Sequence, residues 1–391
     1  MEPENQPPST AAPAANPTES VLTPGPVAPA PTELAPAEPP YRGLRWIFIG
    51  DEGLRSGWCI AIFLTLFRLL ITAIVIAATH FHWIGQDESS MTFTPAFEIE
   101  QEFVVFLCLL CVTAIMAKIE GHKIADYYLR GPRRVGHLLT GAVVGFLAFS
   151  ALVGMLVAGG WVHLGPITVP AAEAVEYAAL WGLGFLLVGF YEEGEWRCYL
   201  QFTLTRGINF WWALACVAAM CLWLAITVQG NGNWGVYAMA LLGFFPCLVL
   251  HLKSAPRSGA FWQAAWVTST YFGFVHTGNG GENWIGILQA AVIGFVFCMS
   301  VRFTGSAWWA IGCHAAWDWA ETYFYGAVDS GMVGQGHLLS AAPAGSPLLS
   351  GGTDGPEGSL LGLPLMVLLG VVVLLLYARR KPSAPPALST N

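Results

Sequence analysis

Long apolar stretches separated by short polar segments run through most of the chain after residue 56. Ten of them approach or reach the length that a helix needs to cross the ~30 Å hydrocarbon core of a bilayer. They lie at roughly 57–79, 103–117, 137–162, 175–200, 209–228, 235–252, 259–276, 284–302, 305–325 and 359–378. The pattern predicts an all-α, polytopic transmembrane helical bundle of about ten spans.

The composition supports a membrane protein. Only 11% of the residues are charged and 55% are hydrophobic, whereas a soluble domain carries about 25% charged residues. The nine cysteines lie in or beside apolar runs. Cys108 and Cys111 have CxxC spacing, but they lie inside an apolar run and no second such pair accompanies them. Isolated thiols are therefore expected, and neither disulfides nor a zinc ribbon is indicated.

The basic residues are confined to alternate loops. Sixteen of the 17 Lys and Arg residues precede the first apolar run, lie near the end of an even-numbered run or follow it, and only Arg68 departs from this pattern. The other loops have none: 80–102, 163–174, 229–234, 277–283 and 326–358. Because basic loops stay in the cytoplasm, this bias predicts that both termini are cytoplasmic.

The ends of the chain differ from the apolar body. Residues 1–40 are rich in Pro and Ala and have no Lys or Arg, which is typical of a disordered tail. Residues 41–174 form an arm with the first three helices, and 359–391 form the last helix with a short cytoplasmic tail. The Gly/Pro/Ser-rich loop 326–358 is expected to lie outside the cytoplasm. A plain connector is favoured there, with a lid over the outer mouth of the bundle as the alternative.

A charged cluster interrupts the fourth apolar run in "FYEEGEWRCYLQ". An ionised side chain near the membrane centre costs about 2.5–3.5 kcal/mol, so the cluster should face the bundle interior, a watery cavity or the interface. Glu193 and Arg197 are four residues apart in the favourable order for an ion pair. Glu192 is then left without a local partner and suits a general base. Glu195 should share its face, although a solvated helix end remains an alternative for the whole cluster.

Two further polar sites lie on later apolar runs. His276 follows Phe272 by four residues in "FGFVH", and His314 precedes Asp318 by four in "HAAWD". Ionisable residues inside membrane spans are functional candidates by default. Two histidines and a free glutamate can activate water and stabilise an oxyanion. Equally, they can hold a metal such as zinc and activate its water.

These three motifs together resemble the CPBP family of intramembrane proteases, which includes CAAX prenyl proteases and bacteriocin-processing and immunity proteins. "EEGEWR" fits EExxxR, "FGFVH" fits FxxxH and "HAAWD" fits HxxxN/D, in the family's order and on separate helices. The resemblance covers roughly 175–325, which would be the catalytic core. It implies a bacterial member, located in the inner (plasma) membrane.

The resemblance also implies roles for individual residues. Glu192 would activate the attacking water together with His276, and Glu193 with Arg197 would form the supporting pair. The oxyanion would be stabilised by His314 and Asp318. Whether His276, His314 and Glu192 hold zinc or the mechanism is metal-free stays open at this point.

The chain departs from the family pattern in three places. Trp196 and Cys198 stand where Phe and Gly are common, which changes packing more than chemistry. Asp318 replaces an Asn and must be protonated to donate a hydrogen bond; otherwise it orients His314 or ligates a metal. About eighty residues separate the first two motifs, so an inserted helix pair is expected at 209–252. Counted along the helices, His276 should also lie deeper than His314.

The leading hypothesis is an endopeptidase that cuts a membrane-associated or lipidated peptide, with no nucleic-acid partner. A non-catalytic immunity or scaffold protein of the same fold is the main alternative. A transporter with a proton relay is a third, but no inverted repeat supports it. The substrate, its cleavage site, any need for prenylation and the oligomeric state do not follow from the sequence.

Overall fold

The computed structural model describes residues 43–50, 53–81, 93–167, 169–227, 234–253 and 256–378. The chain divides into a small unit, Met1–Trp46, and a large unit, Ile47–Asn391. The predicted disordered tail 1–40 lies outside the described residues, as does the end of the C-terminal tail from residue 379 onward. The site is built entirely within the large unit.

The described residues contain ten helices of at least 11 residues, one at each predicted apolar run. They are α1 (Ser56–His80), α2 (Pro95–Glu120), α3 (Arg134–Ala158), α4 (Ala171–Glu193), α5 (Phe210–Thr227), α6 (Trp234–Lys253), α7 (Pro256–Val275), α8 (Trp284–Thr304), α9 (Trp308–Asp318) and α10 (Gly362–Tyr377). The helix α4 continues through a π-helical turn, Gly194–Leu200, into Gln201–Gly207. A second π-helical turn, Trp319–Phe324, extends α9.

Five of the described helices are long and apolar enough to cross a membrane. They are Ser56–His80, Pro95–Glu120, Arg134–Ala158, Ala171–Gly207 and Trp284–Thr304. Shorter apolar helices lie at Phe210–Ile226, Gly243–Lys253 and Gly362–Tyr377. The predicted fold class, an all-α membrane bundle, is confirmed.

The helix α2 begins earlier than the apolar run that predicted it. Thr94 caps its start, because the Phe97 backbone N–H donates to Thr94 Oγ1 at 3.2 Å, and Pro95 occupies the first turn, where proline is well tolerated. The acidic residues between 95 and 103 had cut the hydropathy of this segment. These acidic residues are in fact helical, and two of them, Glu98 and Glu102, line the cavity described below.

The strands are short and pair in three antiparallel ribbons within the described residues. The pairs are β1 (Ile49–Gly50) with β2 (Gly53–Leu54), β3 (Val162–Leu164) with β6 (Ala341–Pro343), and β4 (Val328–Asp329) with β5 (Met332–Val333). In the β3–β6 ribbon Val162 lies opposite Pro343. This pairing fixes the loop 326–358 to the segment that follows α3.

The helices α3 and α9 cross in very close contact. A Cβ at Gly141 would lie 2.1 Å from the Trp309 carbonyl oxygen, and a Cβ at Gly145 would lie 2.2 Å from that of Cys313. Only glycine allows two backbones to approach so closely, and small residues spaced four apart commonly serve this purpose in membrane helices. The crossing fixes the position of α9, which carries two of the predicted site residues.

The loop 326–358 is packed against the start of α8. Ser350 and Asp354 are at most 2% exposed, and Gln289 Nε2 donates to the carbonyl oxygen of Ser359, directly after the loop, at 2.8 Å. Asp354 Oδ2 accepts a hydrogen bond from the Asn283 backbone N–H at 3.2 Å. The C-terminal part of this loop is therefore packed onto the helical bundle.

Candidate active site

A cavity of about 240 Å³ lies among α2, α4, α7, α8, α9 and the loop 326–358. Four of the predicted site residues line it: Glu192, His276, His314 and Asp318. The other two, Glu193 and Arg197, are 0% and 1% exposed and contact the lining residues from behind. The structure thus brings all six predicted residues together, from α4, from α9 and from the turn that follows α7.

The helices α4 and α9 meet at Gly189, where a Cβ would lie 2.9 Å from the Ile311 carbonyl oxygen. One turn further along each helix, His314 Nδ1 donates to Glu193 Oε1 at 2.9 Å. On the cavity side, His314 Nε2 lies 3.8 Å from Glu192 Oε2. The same nitrogen lies 3.6 Å from Asp318 Oδ2. The hydrogen bond to Glu193 therefore fixes Nδ1 of His314, and Nε2 faces the carboxylates of Glu192 and Asp318.

The predicted ion pair between Glu193 and Arg197 is present, with 3.2 Å between Glu193 Oε2 and Arg197 Nε. The guanidinium carbon lies 4.1 Å from the centroid of the Phe272 ring and 5.4 Å from that of Phe297. Stacking of a guanidinium on aromatic faces is favourable in a dry environment. Arg197 thus ties the first motif to the phenylalanine of the second.

His276 is the first residue of a 3-10 turn, His276–Gly278, directly after α7. Its Nδ1 lies 2.7 Å from the Phe272 carbonyl oxygen. Since a carbonyl only accepts hydrogen bonds, Nδ1 carries the proton, and Nε2 of the neutral ring keeps a free lone pair. The Phe272 ring centroid is 4.7 Å from that of His276 and 6.2 Å from that of His314. His276 was expected to lie deeper than His314, but both histidines line the same cavity and flank the same phenylalanine ring.

Glu195 does not line the cavity, so the face that it was predicted to share with Glu192 does not form there. Its side chain is 3% exposed and lies within electrostatic reach of Arg68 and beside Tyr191. The physical reason is the π-helical turn that begins at Gly194. Such a turn is wider than an α-helical one and rotates the following side chains away from their α-helical positions.

Sequence reasoning missed several acidic residues that line the same cavity. Glu98 and Glu102 come from α2, and Asp329 and Glu357 come from the loop 326–358. The sequence does contain a signal for Glu98 and Glu102, because two carboxylates four residues apart share a helix face. The loop residues had none, because no periodicity relates them to the helices that they contact.

A catalytic zinc site uses three protein ligands that converge on one point. Among the residues that the structure describes, no three His, Cys, Asp or Glu side chains form a group with metal-ligating geometry. One ring nitrogen of His314 is bound to Glu193, and the other faces carboxylate oxygens at 3.6 Å and 3.8 Å. The set of His276, His314 and Glu192 is not among groups with such geometry in the described residues.

Fold and site together define an integral membrane protein whose helices enclose a chamber lined by carboxylates and two histidines. Residues 247–320 match the sequence profile of the family described as Type II CAAX prenyl endopeptidase Rce1-like, consistent with a CPBP family protease. The predicted family resemblance is thereby confirmed over this segment. It includes the second and third motifs but begins within α6, after "EEGEWR". Comparison with curated proteins and with solved structures gave no match.

Proposed function

We propose that this protein is an intramembrane endopeptidase of the CAAX-protease-like type, which hydrolyses a peptide bond in a membrane-associated or lipidated substrate. One observation carries the proposal: Glu192 from α4, His276 from the turn after α7 and His314 from α9 line a single cavity. Peptide hydrolysis requires a base for water and a donor for the oxyanion. Both have a candidate within this cavity.

Water activation is assigned to Glu192 and His276. The Glu192 carboxylate takes a proton from water as the water oxygen attacks the carbonyl carbon of the substrate. The free Nε2 of His276 accepts the second hydrogen bond of that water and orients it. The tetrahedral intermediate then collapses, the C–N bond breaks, and the proton held by Glu192 passes to the leaving amine.

Oxyanion stabilisation is assigned to His314. Its Nδ1 is held by Glu193, so Nε2 points to the cavity side. When Nε2 carries a proton, it donates to the oxygen that becomes negative in the intermediate. Asp318, 3.6 Å from Nε2, orients the ring, and in its protonated form it is a second donor. No step of this mechanism passes through a metal.

The cellular setting of the proposal follows from the charge bias of the loops. We place the protein in the plasma membrane with both termini in the cytoplasm, since the basic residues fall on alternate loops. The substrate is then a peptide or lipidated protein that reaches the cavity from the bilayer.

Cleavage by the purified protein in proteoliposomes tests the proposal. A peptide library, with and without a prenyl chain, is incubated with wild type and with the Glu192→Gln variant, and products are identified by mass spectrometry. Loss of a general base lowers turnover by about 10²–10⁴-fold, so the variant should be nearly inactive while its thermal unfolding is unchanged. Cleavage by the variant at the wild-type rate would contradict the assignment of the base.

A further inference from the structure

The wall of the cavity formed by α2 is acidic. Glu98 and Glu102 lie one helical turn apart, are 7% and 8% exposed, and both line the cavity that contains Glu192. Neither takes part in the mechanism above. Burying a carboxylate is costly unless it is paired with an opposite charge or fully hydrogen-bonded, so their position calls for a partner.

Glu102 lacks such a partner among the described residues. Its Oε2 has no hydrogen-bond partner, and its Oε1 accepts only a long hydrogen bond, 3.4 Å, from Gln101 Nε2. The residues that line the cavity include no Lys or Arg. Glu102 and Glu192 lie within electrostatic reach of Glu98, so a carboxylate on this wall has acidic neighbours and no basic one among the cavity-lining residues.

Helix geometry accounts for Glu98 but not for Glu102. Glu98 lies in the first turn of α2, where the helix dipole favours a negative charge, but this effect fades within one turn. A Cβ at Gly184 of α4 would lie 3.1 Å from Glu98 Cγ. A larger residue at position 184 would crowd the Glu98 side chain, so the glycine of the neighbouring helix makes room for the acidic wall.

The rest of this corner is apolar. Phe93, Phe185 and Val188 line the cavity together with the two glutamates, and the rings of Phe93 and Phe185 lie 4.9 Å and 5.4 Å from the ring of Trp181. A lysine or arginine side chain combines an apolar stem with a charged head, and aromatic faces attract its charge. A small inorganic cation would gain nothing from apolar walls.

We propose that Glu98 and Glu102 form a subsite for a lysine or arginine side chain of the peptide substrate. The proposal rests on the proposed protease function, which it refines by naming a substrate class: peptides with a basic residue near the cleaved bond. The apolar wall contacts the stem of that residue, and the head lies between the two carboxylates. The substrate thus supplies the positive charge that the cavity lacks.

Matched peptides test the subsite. In each peptide one position near the cleaved bond carries lysine, its uncharged isostere norleucine, or glutamate, and the positions are scanned in turn. The ratio of kcat/KM for the lysine peptide over the norleucine peptide is measured in proteoliposomes. The norleucine peptide cannot form the charged hydrogen bond that lysine makes with the carboxylates, so we expect a ratio of roughly 10- to 100-fold for wild type at one position. The ratio should fall close to one for Glu102→Gln and decrease for Glu98→Gln. The control Glu100→Gln, on the exposed side of α2, should keep the wild-type ratio.

A binding measurement separates failure of the subsite from failure of the protease function. Lysine and norleucine peptides are titrated onto Glu192→Gln and onto the double variant Glu192→Gln/Glu102→Gln by fluorescence anisotropy. Preferential binding of the lysine peptide that disappears in the double variant supports the subsite even if wild type cleaves no peptide.

Three results would overturn the subsite. One is equal binding of the two peptides to Glu192→Gln, and another is a lysine preference that survives Glu102→Gln. The third is a stoichiometric metal ion in purified wild type that is lost in Glu102→Gln, because the carboxylates would then hold an inorganic cation.

Discussion

At the scale of single residues, Glu193 connects the motifs. Its Oε2 pairs with Arg197 at 3.2 Å, and its Oε1 accepts from His314 Nδ1 at 2.9 Å. The side chain is completely buried, so both interactions take place away from water. The sequence indicated the pair with Arg197 only, and the structure adds the link to His314. Glu193 therefore fixes the ring that the mechanism uses for the oxyanion.

The Glu193→Gln variant should be strongly destabilised, because it leaves the guanidinium of Arg197 buried without a counter-charge. Breaking a buried ion pair in this way costs about 3–5 kcal/mol. The double variant Glu193→Gln/Arg197→Met removes the remaining charge and should recover much of the loss. Thermal unfolding in detergent measures both variants. A double variant less stable than the single one would contradict this account of the pair.

At the scale of elements, both helices that carry the motif carboxylates, α4 and α9, change their geometry directly after them. A π-helical turn follows Glu193 in α4, and another follows Asp318 in α9. Such turns are rare and often occur at functional sites. The first one directs Glu195 away from the cavity. The close crossing of α3 with α9 then sets where His314 lies.

Replacing Gly145 by valine should disrupt this crossing. The new Cβ would lie 2.2 Å from the Cys313 carbonyl oxygen, and since that atom belongs to the backbone, α9 must shift. We expect a lower midpoint of thermal unfolding and a large loss of cleavage, because His314 follows Cys313 directly. Gly154→Val on the same helix is the control, since nothing lies within 4 Å of a Cβ there. Equal stability of the two variants would contradict the proposed role of the crossing.

At the scale of the whole molecule, the loop 326–358 and the start of α8 are joined by two carboxyl groups. A Cβ at Gly286 would lie 2.4 Å from both Glu282 Oε2 and Asp354 Oδ2, so these oxygens meet above the first turn of α8. Burial, with the charges of Asp354 and Glu357 nearby, raises the pKa of Glu282 to about 9. Burial also raises the pKa of Asp354 to about 7. The contact therefore favours protonated carboxyls.

The packing of this loop should weaken as the pH rises from 6 to 9. The pKa of Glu282 in the folded protein is above its ordinary value of 4.5, so its contribution to stability is complete below about pH 4.5 and is lost as the pH approaches 9. Hydrogen exchange of residues 326–358, corrected for the intrinsic pH dependence, should be faster at pH 9 than at pH 6. Glu282→Gln removes one titrating group and should reduce this difference.

The control for this measurement is Glu173→Gln, which changes an exposed carboxylate in the first turn of α4. It should keep the pH dependence of the wild type. A Glu282→Gln variant with the same pH dependence as the wild type would show that the carboxyl pair does not hold the loop.

Much of the fold and the six motif residues of the site could be predicted from the sequence. Apolar runs located every long helix of the described residues, because burial in a bilayer leaves a strong local pattern. Four-residue spacing gave the pair of Glu193 with Arg197. The position of Glu195 could not be predicted, since a π-helical turn has no clear sequence signal. Glu98 and Glu102 were missed because their charges shortened the apolar run that marked α2. Glu357 reaches the cavity only through the packing of a long loop.

The central claim is that Glu192, and not the neighbouring Glu195, activates the water. The matched variants are Glu192→Gln and Glu195→Gln. Their single-turnover rates of cleavage of the same peptide are compared in proteoliposomes, and their thermal unfolding is measured as well. Glu192 lines the cavity with His276, whereas Glu195 lies outside it. We predict that Glu192→Gln is folded but slower by about 10²–10⁴-fold, while Glu195→Gln cleaves within a few-fold of wild type. Rapid cleavage by folded Glu192→Gln, or selective loss of cleavage in folded Glu195→Gln, would contradict the account.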